Sequence, residues 1–594
     1  MRFPTFNALT LAARETLARF PLPMLSSVFM TACLIITVES GVDEETYIRR
    51  ALIAGLCFVA SLFVDLLLER SQSSVGKRVI YSTAVLLAVV AYGNFIVPFD
   101  WGHAPPSFWY SYFILLFCLH LGIALTPLRT SRDKLILWRF NLQLFLRYFF
   151  SSINAALLFI GLALALLSID KLFGLGIDDQ LYFQLWFICA FFAHPLLLLG
   201  GIPKQGTLTD TTTFPKALNF TLRFVALPLT ALYLIIIYTY VGKMAVLWSW
   251  PDGWVAMPIF ILAVIGLLTY VLSIPLSTED SWARIFHKWF FRLLFPLSIV
   301  LFFALQVRLT DYGMTINRHL GLTLAVWLFG TSVAYLVRPH LHVGWIPASL
   351  LFVSLFAIYG GPASATNWSQ RAQTKRVRQL AEQLGAWDGH QLMPKSDAPE
   401  DAERLDNFRS SLEYVIDNFG AKALEAELAG FKVAHPNKNL ELGGTYSITK
   451  EILTYLDLDK SISQTVNYYH RRDITPTFGN EWSLTDLNSR GFARKFDTAQ
   501  GELSVTIDKD RNTITILLDD QTLLEIDNSD WSKQIIAVVD ANGRNQKEPL
   551  AWHFEIDGWR FSFVLKNANV NRTHQKISNL QLSIFYTPPS ATEK

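Results

Sequence analysis

The feature that most constrains this chain is a succession of apolar runs, each about as long as a bilayer is thick. A helix needs about 20 mostly apolar residues to cross the hydrocarbon. Such runs fall near 21–39, 51–68, 79–97, 107–126, 146–168, 181–200, 219–241, 254–274, 288–307, 317–337 and 342–359. Eleven spanning helices are therefore predicted; the last run is short and follows closely on its neighbour. Lipid offers no hydrogen bonds, so each run must satisfy its own backbone, and a helix does this within one segment. Composition agrees. Of 594 residues, 52% are hydrophobic and 17% charged, whereas a soluble domain carries about 25% charge.

Charge divides the chain. Residues 1–360 hold 24 Lys and Arg against 17 Asp and Glu, and the rest hold 27 against 32. The nets of +7 and −5 recover the overall +2. With no long basic run and an acidic polar part, a nucleic-acid partner is not expected. Basic loops mark the cytoplasmic side. Arg2, Arg14 and Arg19 precede the first span, and acidic residues Asp43, Glu44 and Glu45 follow it. Arg70, Lys77 and Arg78 come next, then a loop with Asp100 and no cation, then Arg129, Arg132, Lys134 and Arg139. Asp170, Asp178 and Asp179 outnumber Lys171; Lys204 and Lys216 follow; Lys243 is balanced by Asp252; Arg284 precedes Lys288 and Arg292. The alternation places the N-terminus in the cytoplasm. With eleven spans the C-terminal part lies outside, which in a Gram-negative cell means the periplasm. One missed span would reverse every later loop, so the alternation checks the count.

Residues 1–20 read as an amphipathic lead, with Phe6, Leu9, Ala13, Leu17 and Phe20 on one side and FPLP at 20–23 as its break. This pattern predicts an in-plane helix at the cytoplasmic surface. No short apolar core ends in a small-residue cleavage site, so a cleaved signal peptide is not expected. Cys33, Cys57, Cys118 and Cys189 all fall in apolar runs, which excludes a disulfide framework in the polar part and suits small buried hydrophobes. Trp101, Trp109 and Tyr110, and again Trp248, Trp250 and Trp254, cluster at the expected outer interface, the level amphipathic rings prefer.

Ionisable groups within spans are costly and so are candidate sites. Asp65 stands one helical turn before Glu69, His120 lies in the fourth span, and His194 precedes Pro195 in the sixth, where a kink is predicted. Each has two readings: interfacial pairing or a hydrogen-bonded packing histidine, and the lining of a cavity for substrate or proton. Arg147 and Arg223 begin their spans, where they can snorkel. The densest polar stretch is VRLTDYGMTINRHLG, 307–321, which crowds Arg308, Asp311, Tyr312, Thr315 and Arg318 into a short outer loop around Gly313. One reading is a salt-bridged turn with Asp311 pairing either arginine. The other is a site for an anion or lipid headgroup at the outer rim.

YGMTINRHLG, 312–321, resembles the YGLTxxRY-type signature of the bacterial membrane family called domain of unknown function 4153. Tyr312, Gly313, Thr315 and Arg318 match, and His319 stands where an aromatic is usual. FNALTLAARETLARFPLPML, 6–25, resembles the family's amphipathic lead and RFPL turn, and LDNFRSSLEYVIDNFGAKALEAEL, 405–428, resembles a helical segment that follows in such proteins. The resemblance implies a polytopic inner-membrane protein. It implies no reaction and no catalytic residue.

After Gly360-Gly361-Pro362 the composition turns polar. A helix is predicted over 366–384, a linker over 388–400, a further helix from Ala402 to Ile416, and short helices over 420–431 and 447–457. TVNYY, ELSVTID, NTITILL, AWHFEID, WRFSFVL and LQLSIFY then read as strands, with Asp557-Gly558 as a two-residue hairpin and 508–512 as a longer one. SDWSKQIIAVV reads as a capped helix. The fold class is thus a polytopic α-helical membrane domain, 21–360, a helix and linker, 361–398, and a soluble α+β domain, 399–594. No HExxH, P-loop, GxSxG or GxGxxG occurs, so no cofactor, metal or catalytic residue is expected. Three functions compete. The first is a non-enzymatic envelope protein whose outer domain binds an envelope protein, a lipid headgroup or another ligand. The second is a transporter or lipid carrier with a cavity between spans. The third is a membrane enzyme on a lipid-linked substrate.

Overall fold

A computed structural model of the chain describes residues 6–587 apart from 41–43, 72, 100–103, 130, 132, 205–213, 248–255, 395–401, 436–443, 459–464, 471–481, 489–493, 499–500, 509–512, 520, 528, 543–544, 547–549 and 572–575. The chain forms two compact units. One comprises Met1–Gln379 with Ser410–Glu425, the other Leu380–Arg409 with Ala426–Lys594.

The first unit is helical: α1 (Phe6–Arg19), α2 (Pro21–Ser40), α3 (Glu44–Arg70), α4 (Val75–Ile96), α5 (Pro106–Leu125), α6 (Lys134–Phe173), α7 (Asp179–Ile188), α8 (His194–Gly200), α9 (Lys216–Thr221), α10 (Leu227–Leu247), α11 (Ala256–Leu272), α12 (Ser281–Tyr312), α13 (Ile316–Val337), α14 (Trp345–Tyr359), most of α15 (Ala365–Gln383) and, from Ser410 on, the second part of α16 (Ala402–Phe419). Single turns of π-helix join α7 to α8 and α9 to α10, at Cys189–Ala193 and Leu222–Ala226. Among the described residues, nine helices are long and apolar enough to cross a membrane. Two shorter apolar helices, Ala256–Leu272 and Trp345–Tyr359, occupy the places of the eighth and eleventh expected spans. Trp101, Trp248, Trp250 and Trp254 lie outside the described residues.

Local chemistry sets the ends of these helices. Asp133 caps α6 by accepting from the Leu135 N–H at 2.8 Å, and Gly174 ends it at φ 63°, a left-handed conformation cheap only for glycine. At 40 residues α6 is about 60 Å long, so it runs past a hydrocarbon layer about 30 Å thick. Pro195 lacks an N–H and frees the Phe191 carbonyl; the Ser27 hydroxyl of α2 donates to that oxygen. Glycines let helices close up: a Cβ at Gly266 would stand 2.3 Å from the Phe290 ring, and one at Gly122 would stand 3.0 Å from Phe63. Leu262, Leu294, Leu297 and Leu301 fill the interior of α11 and α12 completely. By contrast Phe149, Leu157, Leu164 and Phe173 on α6 are 50–72% exposed. Apolar surface on this scale suits a lipid bilayer rather than water.

Among the described residues, the second unit contains α17 (Ala429–Ala434), α18 (Thr445–Tyr455), α19 (Ser529–Asn542) and ten strands: β1 (Thr465–His470), β2 (Trp482–Asn488), β3 (Arg494–Thr498), β4 (Gly501–Asp508), β5 (Thr513–Leu518), β6 (Gln521–Asp527), β7 (Asn545–Gln546), β8 (Ala551–Ile556), β9 (Trp559–Asn571) and β10 (Lys576–Thr587). β3-β4-β5-β6 is an antiparallel meander. The other sheet runs β2-β10-β9-β1-β7 with β8 also on β9, and only β1–β7 is parallel. Asp557 and Gly558, at φ 47° and 77°, turn β8 into β9 so that Ile556 pairs Trp559, as the sequence predicts. Alternate residues point inward: Leu503 and Val505, Ile514 and Ile516, and Trp559, Phe561, Phe563 and Leu565 are buried with Trp531 and Ile535 of α19. Trp531 stacks on Trp552 at 4.2 Å, and the Trp552 indole N–H donates to Gln534 at 2.8 Å.

Candidate functional site

The turn between α12 and α13 is held by side chains from α15 and α16. Gly313 has φ 71°, and a Cβ there would stand 3.1 Å from Gln373. The Met314 carbonyl accepts from the Gln373 amide at 2.9 Å. The Ile316 N–H donates to the Tyr414 hydroxyl at 2.9 Å, and that hydroxyl meets Ser369 at 3.0 Å. Burial pushes the Tyr414 phenol above its ordinary range, so it stays a neutral hydroxyl able to donate and accept at once. Thr315 caps α13 by accepting from the Arg318 N–H, and the Arg318 guanidinium donates to the Gly313 carbonyl at 2.8 Å. His319, buried, bonds the Ala363 carbonyl at 3.0 Å and packs edge-on to Trp368. Arg308 is exposed on α12. The side chains of Asp311 and Tyr312 lie outside the described residues. Thr315 and Arg318 thus come together on one turn, serving its backbone.

The intramembrane candidates are dispersed. Asp65, 7% exposed, accepts from the Ser82 hydroxyl of α4 at 2.5 Å. Its second oxygen and the Arg78 Nε are each buried without a hydrogen-bond partner among the described residues. One turn on, Glu69 takes a bidentate bond from Arg19 at 2.9 and 3.0 Å, and Arg19 also donates to the Ile202 carbonyl at 2.7 Å. This clasp pins the end of α1 to α3. His194 bonds Ser152 at 3.1 Å and meets the Tyr148 ring edge-on. His120 is exposed and bonds the Leu116 carbonyl of its own helix at 2.8 Å.

A site that sequence reasoning did not assemble lies at the opposite end of the α12–α13 pair. A cavity of about 590 Å³ is lined by Lys134, Tyr270, His287, Lys288, Arg292, Tyr335, His340 and His342, with Asp133 and a few apolar residues. Phe291 and Tyr335 stack at 4.2 Å, the tilted rings of Tyr270 and His287 are also 4.2 Å apart, and His287 bonds Ser273 at 2.9 Å. Lys134, Lys288 and Arg292 had served only as orientation signals. The nearest clue in sequence is RPHLH, 338–342, directly after the tenth apolar run. Among the described residues, no group of three His, Cys, Asp or Glu is placed to hold a metal ion. In the second unit, a cavity of about 410 Å³ is lined by Phe431, His435, Ser447, Lys450, Glu451, Thr454 and Tyr455. His435 stacks on Phe431 at 4.8 Å.

These features define a multi-pass helical membrane protein with a strand-rich C-terminal region. The chain belongs to the family described as domain of unknown function (DUF4153), whose model matches residues 24–398, as the 312–321 motif indicates. The 405–428 segment lies beyond that match. The chain is 23% identical over 384 residues to an uncharacterised protein of Pasteurella multocida (strain Pm70). That match covers 64% of this chain and 62% of the relative's length. No solved structure matches the chain.

Proposed function

We propose that the chain is a non-enzymatic multi-pass protein of a bacterial inner membrane, crossing it eleven times with its N-terminus in the cytoplasm. Its soluble part follows residue 360, with a helix and linker over 361–398 and an α+β domain over 399–594. That domain stands in the periplasm and recognises an envelope partner or ligand. The observation that carries this reading is the second unit's own cavity, where Lys450 and Glu451 stand beside the rings of Phe431, His435 and Tyr455. Opposite charges and aromatic rings lining one cavity suit selective recognition. The alternation of loop charge supports the orientation, and the bacterial relative supports the setting. Thr315 and Arg318 brace the outer turn in this reading.

A photo-crosslinking residue at Ser447 tests it in living cells. The expected result is a discrete adduct with an envelope component, abolished by Lys450→Glu. No adduct, or one indifferent to Lys450, contradicts it. The cavity at Lys134, Lys288 and Arg292 favours a second reading, a carrier that takes an amphiphile from the bilayer.

A further inference from the structure

We propose that the cavity between the starts of α6 and α12 and the ends of α11 and α13 binds a phosphate-bearing ligand. The charge of the lining comes first. Lys134, Lys288 and Arg292 contribute three cations against the single carboxylate of Asp133. That carboxylate already accepts the Leu135 N–H as the cap of α6. Lys134, Lys288 and Arg292 are exposed side chains, and no described ion pair occupies them. Lys288 and Arg292 are one turn apart on α12; the Arg292 guanidinium donates one N–H to the Lys288 carbonyl and stands over the Trp289 ring, and its fork has further donors for an anion.

The second observation is an unanswered donor. Nδ1 of His342 accepts from the Gly344 N–H at 3.0 Å, so a neutral ring carries its proton on Nε2. His342 lines the cavity, and its Nε2 is buried without a hydrogen-bond partner among the described residues. A buried donor without an acceptor is unfavourable, and a ligand oxygen that reaches it relieves this. The third observation is the floor. Tyr270, Phe291 and Tyr335, with Ile274, Leu341 and Val343, form an apolar base beneath the cations. The volume of about 590 Å³ lies within the roughly 300–1,000 Å³ of small-molecule sites. Cations above an apolar floor, at the ends of spanning helices, match a phosphate joined to an apolar body. A lipid headgroup and a soluble phosphate share this chemistry.

The inference rests on the helices lying in a bilayer, and on neither the orientation nor the partner of the second unit. The test uses the full chain in a neutral maltoside detergent and measures binding of dioctanoyl phosphatidic acid, dioctanoylglycerol and inorganic pyrophosphate. Phosphatidic acid is expected to bind, and Lys288→Gln/Arg292→Gln to weaken it about tenfold or more. Lys288→Arg is expected to retain binding, as is Lys77→Gln at the start of α4, outside the cavity lining. Should the double variant fail to fold, Lys134→Gln, which removes one cation at the start of α6, replaces it with the same direction expected. Binding of pyrophosphate but not of the lipid keeps the phosphate site and assigns a soluble ligand. Equal binding of dioctanoylglycerol, binding of neither phosphate, or unchanged affinity in the glutamine variants overturns the proposal.

Discussion

The two units keep their apolar side chains in opposite places. In the second, Trp531, Ile535, Phe561, Phe563 and Leu565 are all but completely buried, and among its described residues only Met393, Val433 and Tyr446 are large hydrophobics left exposed. In the first, exposed Leu, Phe and Ile run the length of α6, while Ser61, Ser82, Ser298 and Ser332 are wholly buried. The solvent explains the contrast. Water drives apolar residues inward, whereas lipid is indifferent to them and leaves close packing, small residues and hydrogen bonds to hold helices together. Ser27 on Phe191 and Gly266 under Phe290 are instances of the second rule. The Trp531–Trp552 stack is an instance of the first.

Substitutions sharpen this contrast, beginning with the largest effect. Phe563→Ala should lower the stability of the second unit by about 3–5 kcal/mol, read in denaturant titrations of tryptophan fluorescence. Leu164→Ala on the exposed face of α6 should cost less than about 1 kcal/mol. Equal costs would dissolve the distinction. Leu157→Lys asks what covers that face: a lipid-facing lysine near the middle of a span costs about 2.5–3.5 kcal/mol and should cut the yield of inserted protein, whereas a water-facing one would be harmless. Gly266→Ala should cost about 1–3 kcal/mol through its clash with Phe290, seen as a lower melting temperature in detergent. Tyr414→Phe leaves the Ile316 N–H without its acceptor and should cost about 1–3 kcal/mol. Arg318→Lys should be mildest, under about 1 kcal/mol, because Lys still reaches the Gly313 carbonyl. A severe loss of function in a stable Arg318→Lys protein would instead favour a planar anion clamp at the rim.

Much of this architecture was legible because it rests on long-period patterns. Apolar runs located the spanning helices, and β-branched alternation located β1, β4, β5, β8, β9 and β10. β6 escaped because QTLLEID sets Gln, Glu and Asp beside its leucines, and because Asp519, at φ 48°, turns the chain without a glycine to announce it. β7 is only two residues long. The π-turn before His194 escaped for a related reason: Pro195 signals a break, but its repair by Ser27 is a contact 164 residues away in sequence. The Arg308–Arg318 stretch was recognisable as polar and crowded. Its partners Ser369, Gln373 and Tyr414 carry no motif and meet it only in the fold. The cavity at His342 was least legible. Its walls come from four stretches of chain, and its cations already had a sufficient explanation as topogenic charges.

The most direct test of the central proposal, an odd number of membrane crossings before a C-terminal domain that stands outside, is thiol labelling from each side. The four native cysteines are buried, so background should be low. Ser447→Cys and Lys77→Cys proteins are treated in intact cells, outer membrane opened, with a membrane-impermeant maleimide. The expected result is that Ser447→Cys labels at once and Lys77→Cys only after the inner membrane is permeabilised. Labelling of both, or of Lys77→Cys alone, in intact cells contradicts the topology.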